Sequence, residues 1–353
     1  MIILALSNSI FTPRFDPFLV NRDNILLMKK NIALIGVGGI GSRHLQALTK
    51  LKDDVDIWVV DPLSESIDKA RKLLETENPN QNKGNITYCH SVNEIFPNID
   101  VAIIATTSGI RRSVTEELLA KCDVKNIIFE KVLFTKVEDY YAVQKKLVQD
   151  SISAWVNCAR RLTDFYVYLK SLLSDAKSID MYVSGKNFGL GCNAIHYLDL
   201  LAYLGRNIGD ISVDITDLDK EIIPSKRKGY VEFTGKLCGK IGNNSFTLVS
   251  SLNDCPNQII LKSNICDIFI EEKSDVISAK IIRQENTQSE ENIEFPMQFV
   301  SGLTNYAVHD ILVTGDCNLT SYEDSMKLHI PMINAFLEKI NADIGVTDIC
   351  NIT

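Results

Sequence analysis

Apolar and polar positions follow one another in regular blocks along the first half of the chain. From Asn31 the sequence NIALIGVGGIGSRHLQALTKLKDDVDIWVVD contains an apolar stretch, a glycine cluster, an amphipathic stretch and a second apolar stretch. That order predicts a strand, a turn, a helix and a second strand. Further apolar strands are expected at residues 86–89, 101–105 and 126–129, separated by helical patterns. Such alternation predicts a mostly parallel sheet with helices on both faces, in the α/β class.

The second half has a different pattern. Between residues 210 and 282, short β-rich segments such as GYVEFTGKL, SFTLVSSL and ICDIFIEE follow at close spacing. They predict a largely antiparallel, open sheet that serves as a substrate wall and an oligomer interface. The stretch QENTQSEENIEFP is interpreted as a polar loop. Helices are expected near residues 297–313 and 320–340, the second capped by Thr320 or Ser321.

The glycine cluster has the spacing G-x-G-x-x-G at Gly36, Gly38 and Gly41. In a dinucleotide fold the first glycine makes a tight turn, the second lets the backbone approach a pyrophosphate, and the third allows close helix–strand packing. Asp61 ends the next strand, about 20 residues later, where such a fold places the acceptor for a ribose 2′-OH. An acid there repels a 2′-phosphate, so NAD is favoured over NADP. The alternative is that Asp61 is a turn residue before Pro62.

Strand ends supply the rest of the predicted cofactor site, because ligands bind at the carboxyl ends of strands in such sheets. Thr106, Thr107 and Ser108 follow one predicted strand, and Glu130 and Lys131 follow the next. The predicted cofactor-binding residues are Gly36, Gly38, Gly39, Ile40, Gly41, Asp61, Thr106, Thr107, Glu130 and Lys131.

A length of 353 residues is sufficient for two domains. We expect a disordered N-terminal extension over residues 1–27 and a dinucleotide-binding Rossmann domain over residues 28–157. A C-terminal α+β domain with an open, largely antiparallel sheet is expected over residues 158–353.

Composition argues against several classes of partner. Lys plus Arg number 37 against 45 acids, a formal net charge of −8, which disfavours nucleic acid. No apolar run reaches the length of about 18 to 20 residues that spans a membrane, and the opening MIILAL lacks the basic start of a signal peptide. The nine cysteines are scattered without a C-x-x-C pair. This favours reduced thiols in a cytoplasmic protein without a metal site.

From residue 28 to the C-terminus the chain resembles the glucose-fructose oxidoreductase and inositol dehydrogenase (Gfo/Idh/MocA) family. The resemblance rests on the order of GVGGIGSRH, VAIIAT, FEKV in the place of Glu-Lys-Pro, VNCARR and GCNAIHYLDLLAYLG. It implies an NAD(P)-dependent oxidoreductase that transfers a hydride between the nicotinamide and a hydroxyl or carbonyl. The implied substrate is a sugar or a sugar-derived molecule, nucleotide-linked and sialic-acid-like sugars included.

In that family the lysine of Glu-Lys-Pro lies between the nicotinamide and the substrate, and Lys131 is its counterpart here. Its ammonium can hydrogen-bond the reacting oxygen; the alternative is a solvated lysine after a strand. Val132 replaces the proline, and we expect a trans peptide there because a non-proline cis bond costs roughly 2.5 to 4 kcal/mol. Arg111 and Arg112 are interpreted either as solvated or as partners of a phosphate or carboxylate.

The stretch GCNAIHYLDLLAYLG has the apolar spacing of a helix, with His196 near its start. Cys192 and Asn193 lie one turn before His196 and Asp199 lies one turn after it, which gives a polar stripe. In relatives the histidine of Asp-x-x-x-His-x-x-Asp is the general acid/base or binds the substrate oxygen. The resemblance therefore implies Lys131 and His196 as catalytic residues, although a core histidine is the alternative. Cys192 stands where the first carboxylate is expected, Asn193 can bind a sugar hydroxyl, and Asp199 either orients His196 or forms a buried ion pair.

VNCARR leads from the first domain into the second, so Asn157, Arg160 and Arg161 are expected at the domain junction. Arg161 matches a family position close to substrate and suits an anionic group; the alternative is an ion pair that joins the domains. The predicted substrate-binding residues are Asn193, Arg161, Asp199 and Asn157.

Three functional interpretations remain open. The first is the sugar oxidoreductase, acting as a homo-oligomer (a dimer or tetramer) through the C-terminal sheet. The second is a catalytically impaired family member that binds cofactor and ligand without turnover, which the replacements at Val132 and Cys192 favour. The third is an enzyme with an imine or biliverdin-like substrate.

Overall fold

A computed structural model describes residues 29–76, 84–96, 98–284 and 289–353. The extension predicted over residues 1–27 lies outside these described residues. The first half contains six strands and four helices within the described ranges: β1 (Lys30–Ile35), α1 (Gly39–Leu48), β2 (Val55–Val60), α2 (Ser64–Thr76), β3 (Ile86–Cys89), β4 (Val101–Ile104), α3 (Arg111–Lys121), β5 (Asn126–Phe129), α4 (Val137–Gln149) and β6 (Ser153–Val156).

The second half begins with two helices that flank a long strand and continues mainly as strands. Its elements are α5 (Asp164–Leu172), β7 (Ile179–Lys186), α6 (Leu190–Gly205), β8 (Ile211–Asp214), β9 (Ile223–Pro224), β10 (Val231–Glu232), β11 (Gly235–Ile241), β12 (Asn244–Ser251), β13 (Gln258–Ser263), β14 (Cys266–Glu272), β15 (Val276–Arg283), β16 (Ser289–Pro296), α7 (Thr304–Thr314), β17 (Thr320–Ser321) and α8 (Tyr322–Asp343).

The first sheet has the strand order β17-β6-β5-β4-β1-β2-β3. Strands β1 to β6 are parallel, and only β17 pairs antiparallel, with β6. The sequence order reverses between β1 and β4, which is the switch point where doubly wound sheets bind their ligands. Strand β4 is buried at every position because helices cover both faces, which explains its uninterrupted apolar sequence. The predicted α/β Rossmann fold is confirmed.

The second sheet has the order β16-β15-β14-β13-β7-β12-β11-β8. All its pairs are antiparallel except β7 with β12, so the prediction of a largely antiparallel sheet is confirmed. Strand β7 lies inside this sheet although the sequence analysis did not assign it. Buried and exposed residues alternate from Ile179 to Val183, and the next two residues, Ser184 and Gly185, are both buried.

The interpretation of QENTQSEENIEFP as a loop is wrong for its second part. Residues 285–288 lie outside the described structure, and Ser289–Pro296 form β16, paired along its length with β15. As an edge strand, β16 has most of its side chains in solvent, and only Ile293 and Phe295 pack against the core. Its polar composition therefore conceals a strand, because an edge position does not demand the usual apolar face.

The C-terminal helices connect the two sheets. Helix α7 packs on α1, and α8 packs on both α4 and α6. Helix α8 starts at Tyr322, where the hydroxyl of the N-cap Ser321 accepts the N–H of Asp324, so Ser321 is the capping residue. Among the described residues, no helix is both long and apolar enough to cross a bilayer. All nine cysteines lie in the described ranges as free thiols.

Candidate active site

The glycine turn between β1 and α1 leaves room for a ligand. Gly36 has φ +88°, and a Cβ on it would lie 3.0 Å from the amide nitrogen of Thr106. A Cβ on Gly41 would lie 2.0 Å from the carbonyl oxygen of Gly36, so only glycine allows the helix this close to the strand. By contrast, a Cβ on Gly38 would meet no described atom within 4 Å. The first and third glycines are thus required by packing, and the second faces open space.

Helix α1 directs its N-terminus into that space. It begins at Gly39, and its N-cap residue, Gly38, carries no side chain that could occupy the free backbone amides. The first N–H groups of a helix lack intrahelical acceptors and form the positive end of its dipole. This arrangement suits a pyrophosphate.

Asp61 is held at the end of β2, beside the same turn. One of its carboxylate oxygens accepts the N–H of Val37 at 2.9 Å, and the other accepts the N–H of Leu63 at 2.9 Å. The bond to Leu63 corresponds to the alternative prediction for Asp61, a turn residue before Pro62. Because Asp61 also lines the cavity next to the turn, the two roles are compatible.

A cavity of about 750 Å³ opens above the carboxyl ends of β1, β2, β4 and β5. This is within the range of roughly 300 to 1,000 Å³ typical of ligand pockets. Gly41 is packed behind the turn and does not line it. The predicted residues that do line it are Gly36, Gly38, Gly39, Ile40, Asp61, Thr106, Thr107, Glu130, Lys131, Asn157 and His196.

Glu130 lies at the wall of this cavity in a closed network of hydrogen bonds. Its carboxylate accepts from the side-chain amide of Asn157 and pairs with Nε2 of His44 at 2.9 Å, while Nδ1 of His44 contacts the hydroxyl of Thr304 at 2.8 Å. Burial opposes ionisation of Glu130, but the contacts with His44 and Asn157 and the charge of Lys131 hold its pKa below the usual value. The buried anion therefore fixes the strand end that carries Lys131.

Lys131 reaches across to the second half of the molecule. Its Nζ donates a hydrogen bond to the main-chain carbonyl of Cys192 at 2.9 Å, near the start of α6. The Lys131–Val132 peptide is cis, so the prediction of a trans peptide is wrong. Tertiary contacts set this isomer: the Val132 side chain is completely buried, and its carbonyl accepts from the guanidinium of Arg111.

The two arginines at the start of α3 have different surroundings. Arg111 is buried and donates to the carbonyls of Thr106, Val132 and Leu133, and burial lowers its pKa to about 10. It therefore braces the cavity wall rather than extending into solvent. Arg112 pairs with carboxylates, including Asp139 at 2.7 Å.

His196 completes the group at the inner end of the cavity. Its Nδ1 is buried and has no hydrogen-bond partner among the described residues. Burial first, and then the charges of Lys131 and Arg160, lower the pKa of His196 well below 6.5. The imidazole is consequently neutral at pH 7.

Two predicted substrate residues, Arg161 and Asp199, pair with each other instead. Nε of Arg161 lies 2.7 Å from Oδ2 of Asp199, and the other Asp199 oxygen accepts from the hydroxyl of Thr320. Burial raises the pKa of Asp199, an effect that Arg161 and Thr320 oppose. Neither Arg161 nor Asp199 is among the residues that line the first cavity or the neighbouring cavity around Cys192. The ion pair joins α6 to the segment after β6. Arg161 therefore has the second of its two predicted roles, an ion pair that joins the domains.

A second cavity, of about 500 Å³, adjoins the first and contains Cys192 and Asn193. The Asn193 amide donates to the carbonyl of Phe188. Glu232 of β10 accepts the N–H groups of Gly191 at 2.7 Å and Cys192 at 3.0 Å, so it caps the start of α6. Glu232 is not among the predicted site residues, although an acid inside the apolar stretch GYVEF was an available signal.

Two further residues outside the predicted set, Arg227 and Thr353, line both cavities. The basic run SKRKG at residues 225–229 was the available signal for Arg227. No sequence pattern marks Thr353, which reaches the site because the main chain of the C-terminal segment bonds to Thr135, Val231 and Ser108.

The residues of the first cavity fit a nicotinamide dinucleotide. An open glycine turn, a free helix N-terminus and a fixed carboxylate match the pyrophosphate and the ribose of such a cofactor. Two buried polar atoms of lining residues, Oγ1 of Thr106 and Nδ1 of His196, lack hydrogen-bond partners among the described residues. Across the described ranges, no three His, Cys, Asp or Glu side chains are grouped so that they could hold a metal ion.

Residues 30–158 match the family model GFO_IDH_MocA, described as an oxidoreductase family with an NAD-binding Rossmann fold. None of the curated proteins compared with the chain matches it.

Solved structures share the fold over nearly the whole chain. An Agrobacterium radiobacter oxidoreductase in complex with NAD⁺, L-tartaric acid and magnesium superposes with a TM-score of 0.67 at 15% identity, covering 89% of this chain and 97% of that one. A super-repressor mutant of Gal80p from Saccharomyces cerevisiae superposes with a TM-score of 0.67 at 14% sequence identity. The match covers 88% of this chain and 96% of that one.

A third structure is a mutant of KijD10, a 3-ketoreductase from Actinomadura kijaniata, in complex with TDP-benzene and NADP. It gives a TM-score of 0.65 at 11% identity and covers 87% of this chain and 96% of that one. At these identities the likeness concerns the fold. The family model confirms the resemblance over residues 30–158, which match an oxidoreductase family with an NAD-binding Rossmann fold. The solved structures show that the fold is shared over nearly the whole chain.

Proposed function

We propose that the protein is an NAD-dependent oxidoreductase that transfers a hydride between the nicotinamide and a hydroxyl or carbonyl of a sugar-derived substrate. The observation that carries the proposal is that Lys131 and His196, from different halves of the chain, line the same cavity as the glycine turn and Asp61. A bound nicotinamide supplies the hydride acceptor or donor. The chain itself must then bind the reacting oxygen and move one proton.

In the oxidation direction, the ammonium of Lys131 hydrogen-bonds the substrate hydroxyl oxygen. As the hydride leaves the carbon, the hydroxyl proton passes to the neutral imidazole of His196, and the C–O bond becomes a carbonyl. The Lys131 charge stabilises the negative charge that develops on oxygen. Reduction is the reverse, with His196 returning the proton.

The remaining predicted residues receive two roles in this proposal. Asn157 and Asn193 contact the substrate, since each lines one of the two cavities. Arg161 and Asp199 are positioning residues, because their ion pair fixes α6 and with it His196. We propose NAD rather than NADP, since the Asp61 carboxylate repels a 2′-phosphate.

We also propose a homo-oligomer formed through the outer face of the second sheet and a cytoplasmic location. On that face Tyr182, Ile260 and Phe269 lie side by side on β7, β13 and β14, and Tyr182 and Phe269 are exposed. Such an apolar row favours burial against a second copy. The location is supported by nine free, scattered cysteines.

The second candidate function is ligand binding without turnover. Two observations favour it: Lys131 bonds to a main-chain carbonyl at Cys192 instead of a carboxylate, and the fold is shared with Gal80p, called a transcriptional regulator in the Kluyveromyces lactis structure.

The substitution Lys131→Ala separates the two candidate functions. With NADH and a panel of keto-sugars, an oxidoreductase should lose at least about 10²-fold in turnover. The partly exposed Lys136, paired with Asp348, gives the matched control Lys136→Ala. An unchanged rate for Lys131→Ala would rule out the catalytic assignment.

A further inference from the structure

The second cavity is an extension of the first. Arg227 and Thr353 line both cavities. In addition, the Lys131 ammonium, at the first cavity, donates to the main-chain carbonyl of Cys192, a residue that lines the second cavity. A substrate with its reacting carbon beside Lys131 and His196 can therefore extend into the second cavity. The chemistry of that cavity then selects the rest of the substrate molecule.

The second cavity is lined by two basic side chains and one acid. Lys226 and Arg227, from the connection between β9 and β10, line the second cavity. The Arg227 guanidinium donates to the hydroxyl of Thr353 at 2.9 Å. Among the described residues, neither Lys226 nor Arg227 forms an ion pair with a carboxylate. The acid in the lining, Glu232, directs both its oxygens at the N–H groups that begin α6.

The connection that carries these cations has a defined shape. The Ser225 N–H donates to the Tyr230 carbonyl at 2.9 Å, and the Tyr230 N–H donates to the Arg227 carbonyl at 3.2 Å. Gly229, at φ +86°, allows the turn between them. Beyond it, the Val231 N–H donates to the Asn351 carbonyl at 2.8 Å. These bonds hold Arg227 over the junction of the two cavities.

From these contacts we infer that the second cavity binds an anionic group of the substrate, a carboxylate or a phosphate, through Arg227 and Lys226. A guanidinium suits such a group because its planar fork donates two parallel hydrogen bonds. The sequence analysis assigned anion recognition to Arg161, but that side chain is occupied by Asp199. The inference rests on the proposed function, because it describes the far end of the same substrate.

Calorimetric titration of the NAD⁺-saturated protein tests this without turnover. The probes are D-glucose, D-glucuronate and D-glucose 1-phosphate, which differ in charge. We expect one of the two anions to bind about tenfold or more tightly than glucose, the size of one charge-assisted hydrogen bond. Preference for glucuronate identifies a carboxylate site, and preference for the phosphate ester identifies a phosphate site.

The variant Arg227→Gln should lose that preference by about tenfold while binding glucose and NAD⁺ as the parent does. The variant Lys226→Gln, on the surface of the same connection, should lose part of the preference for the anionic probe over glucose. Lys228→Gln is the matched control, since Lys228 belongs to the same basic run and lines neither described cavity. It should behave as the parent.

Four results would overturn the inference: no measurable binding of either anion, equal affinity for glucose and the anions, an equal loss in Lys228→Gln, or weakened NAD⁺ binding in Arg227→Gln. The last result would assign Arg227 to the cofactor. If the protein binds an anionic sugar more tightly than glucose but never oxidises NADH, the anion site is supported and the proposed oxidoreductase activity is contradicted. Failure of the inference and failure of the proposed function are therefore distinguishable.

Discussion

Lys131 and Cys192 are joined across the two halves of the molecule, where Nζ of Lys131 donates to the main-chain carbonyl of Cys192 at 2.9 Å. Cys192, one turn before His196, thus contacts Lys131 through its main-chain carbonyl and not through its side chain. A carboxylate is nevertheless present close by, because Glu232 accepts the Cys192 N–H from β10. Burial and the Glu232 carboxylate raise the pKa of the Cys192 thiol to about 12, so the thiol is neutral.

This relationship predicts that Cys192→Asp destabilises the protein. The new carboxylate would share a mostly buried site with Glu232, so we expect a loss of about 1 to 3 kcal/mol in the free energy of unfolding. Urea denaturation at pH 7.5 measures it. The uncharged Cys192→Ser is the control, and Glu232→Gln in the Asp variant should recover part of the loss. Equal stability of the Asp and Ser variants would contradict this account of the site.

Asp61 should determine the choice of cofactor. The parent is expected to bind NADH more tightly than NADPH, and Asp61→Asn should reduce that preference by about tenfold or more, because it removes the charge that repels a 2′-phosphate. Fluorescence titration of both cofactors measures the ratio. The asparagine oxygen can keep one of the backbone bonds from Val37 and Leu63. A parent that binds NADPH as tightly as NADH would refute the role of Asp61.

His329 should make the protein sensitive to acid. Its Nδ1 donates to the Ser325 carbonyl and its Nε2 accepts the Leu133 N–H. Burial lowers its pKa to about 3. Below about pH 6.5 the unfolded chain binds a proton here that the folded protein does not, so stability falls as the pH falls.

The expected contribution of His329 is up to about 1.4 kcal/mol per pH unit between about pH 6 and 4. His329→Gln should therefore show a shallower decline over this range in denaturation measurements, although it is less stable at pH 7.5. The exposed His90 gives the control His90→Gln, which should keep the parent's slope. The prediction fails if His329→Gln and the parent lose stability equally on acidification.

The cofactor half of the site could be predicted from the sequence because each of its parts is local. Gly41 packs against the carbonyl of Gly36 within one strand–helix unit, and Asp61, at the end of the next strand, accepts the N–H of Val37 in the same turn. Their apolar flanks give clear periodicity, so the elements and their order were predictable as well.

The substrate half could be predicted only in part, since it depends on contacts between distant segments. Nothing near Arg161 in sequence indicates that it will pair with Asp199, whose other oxygen accepts from Thr320. Arg227 and Glu232 lie beside α6 only after the short β9–β10 pair has folded back onto it. The cis peptide at Val132 likewise follows from packing and not from the residue type.

Hydride transfer itself is the central claim, and single-turnover absorbance at 340 nm tests it most directly. Excess protein with bound NADH is mixed with keto-sugars, neutral and anionic, with the Lys131→Ala variant in parallel. The account predicts that at least one keto-sugar abolishes the 340 nm absorbance in the parent and that the variant does so at least about 10²-fold more slowly. Tight NADH binding without oxidation by any keto-sugar would contradict the account and favour a protein that binds its ligands without turnover.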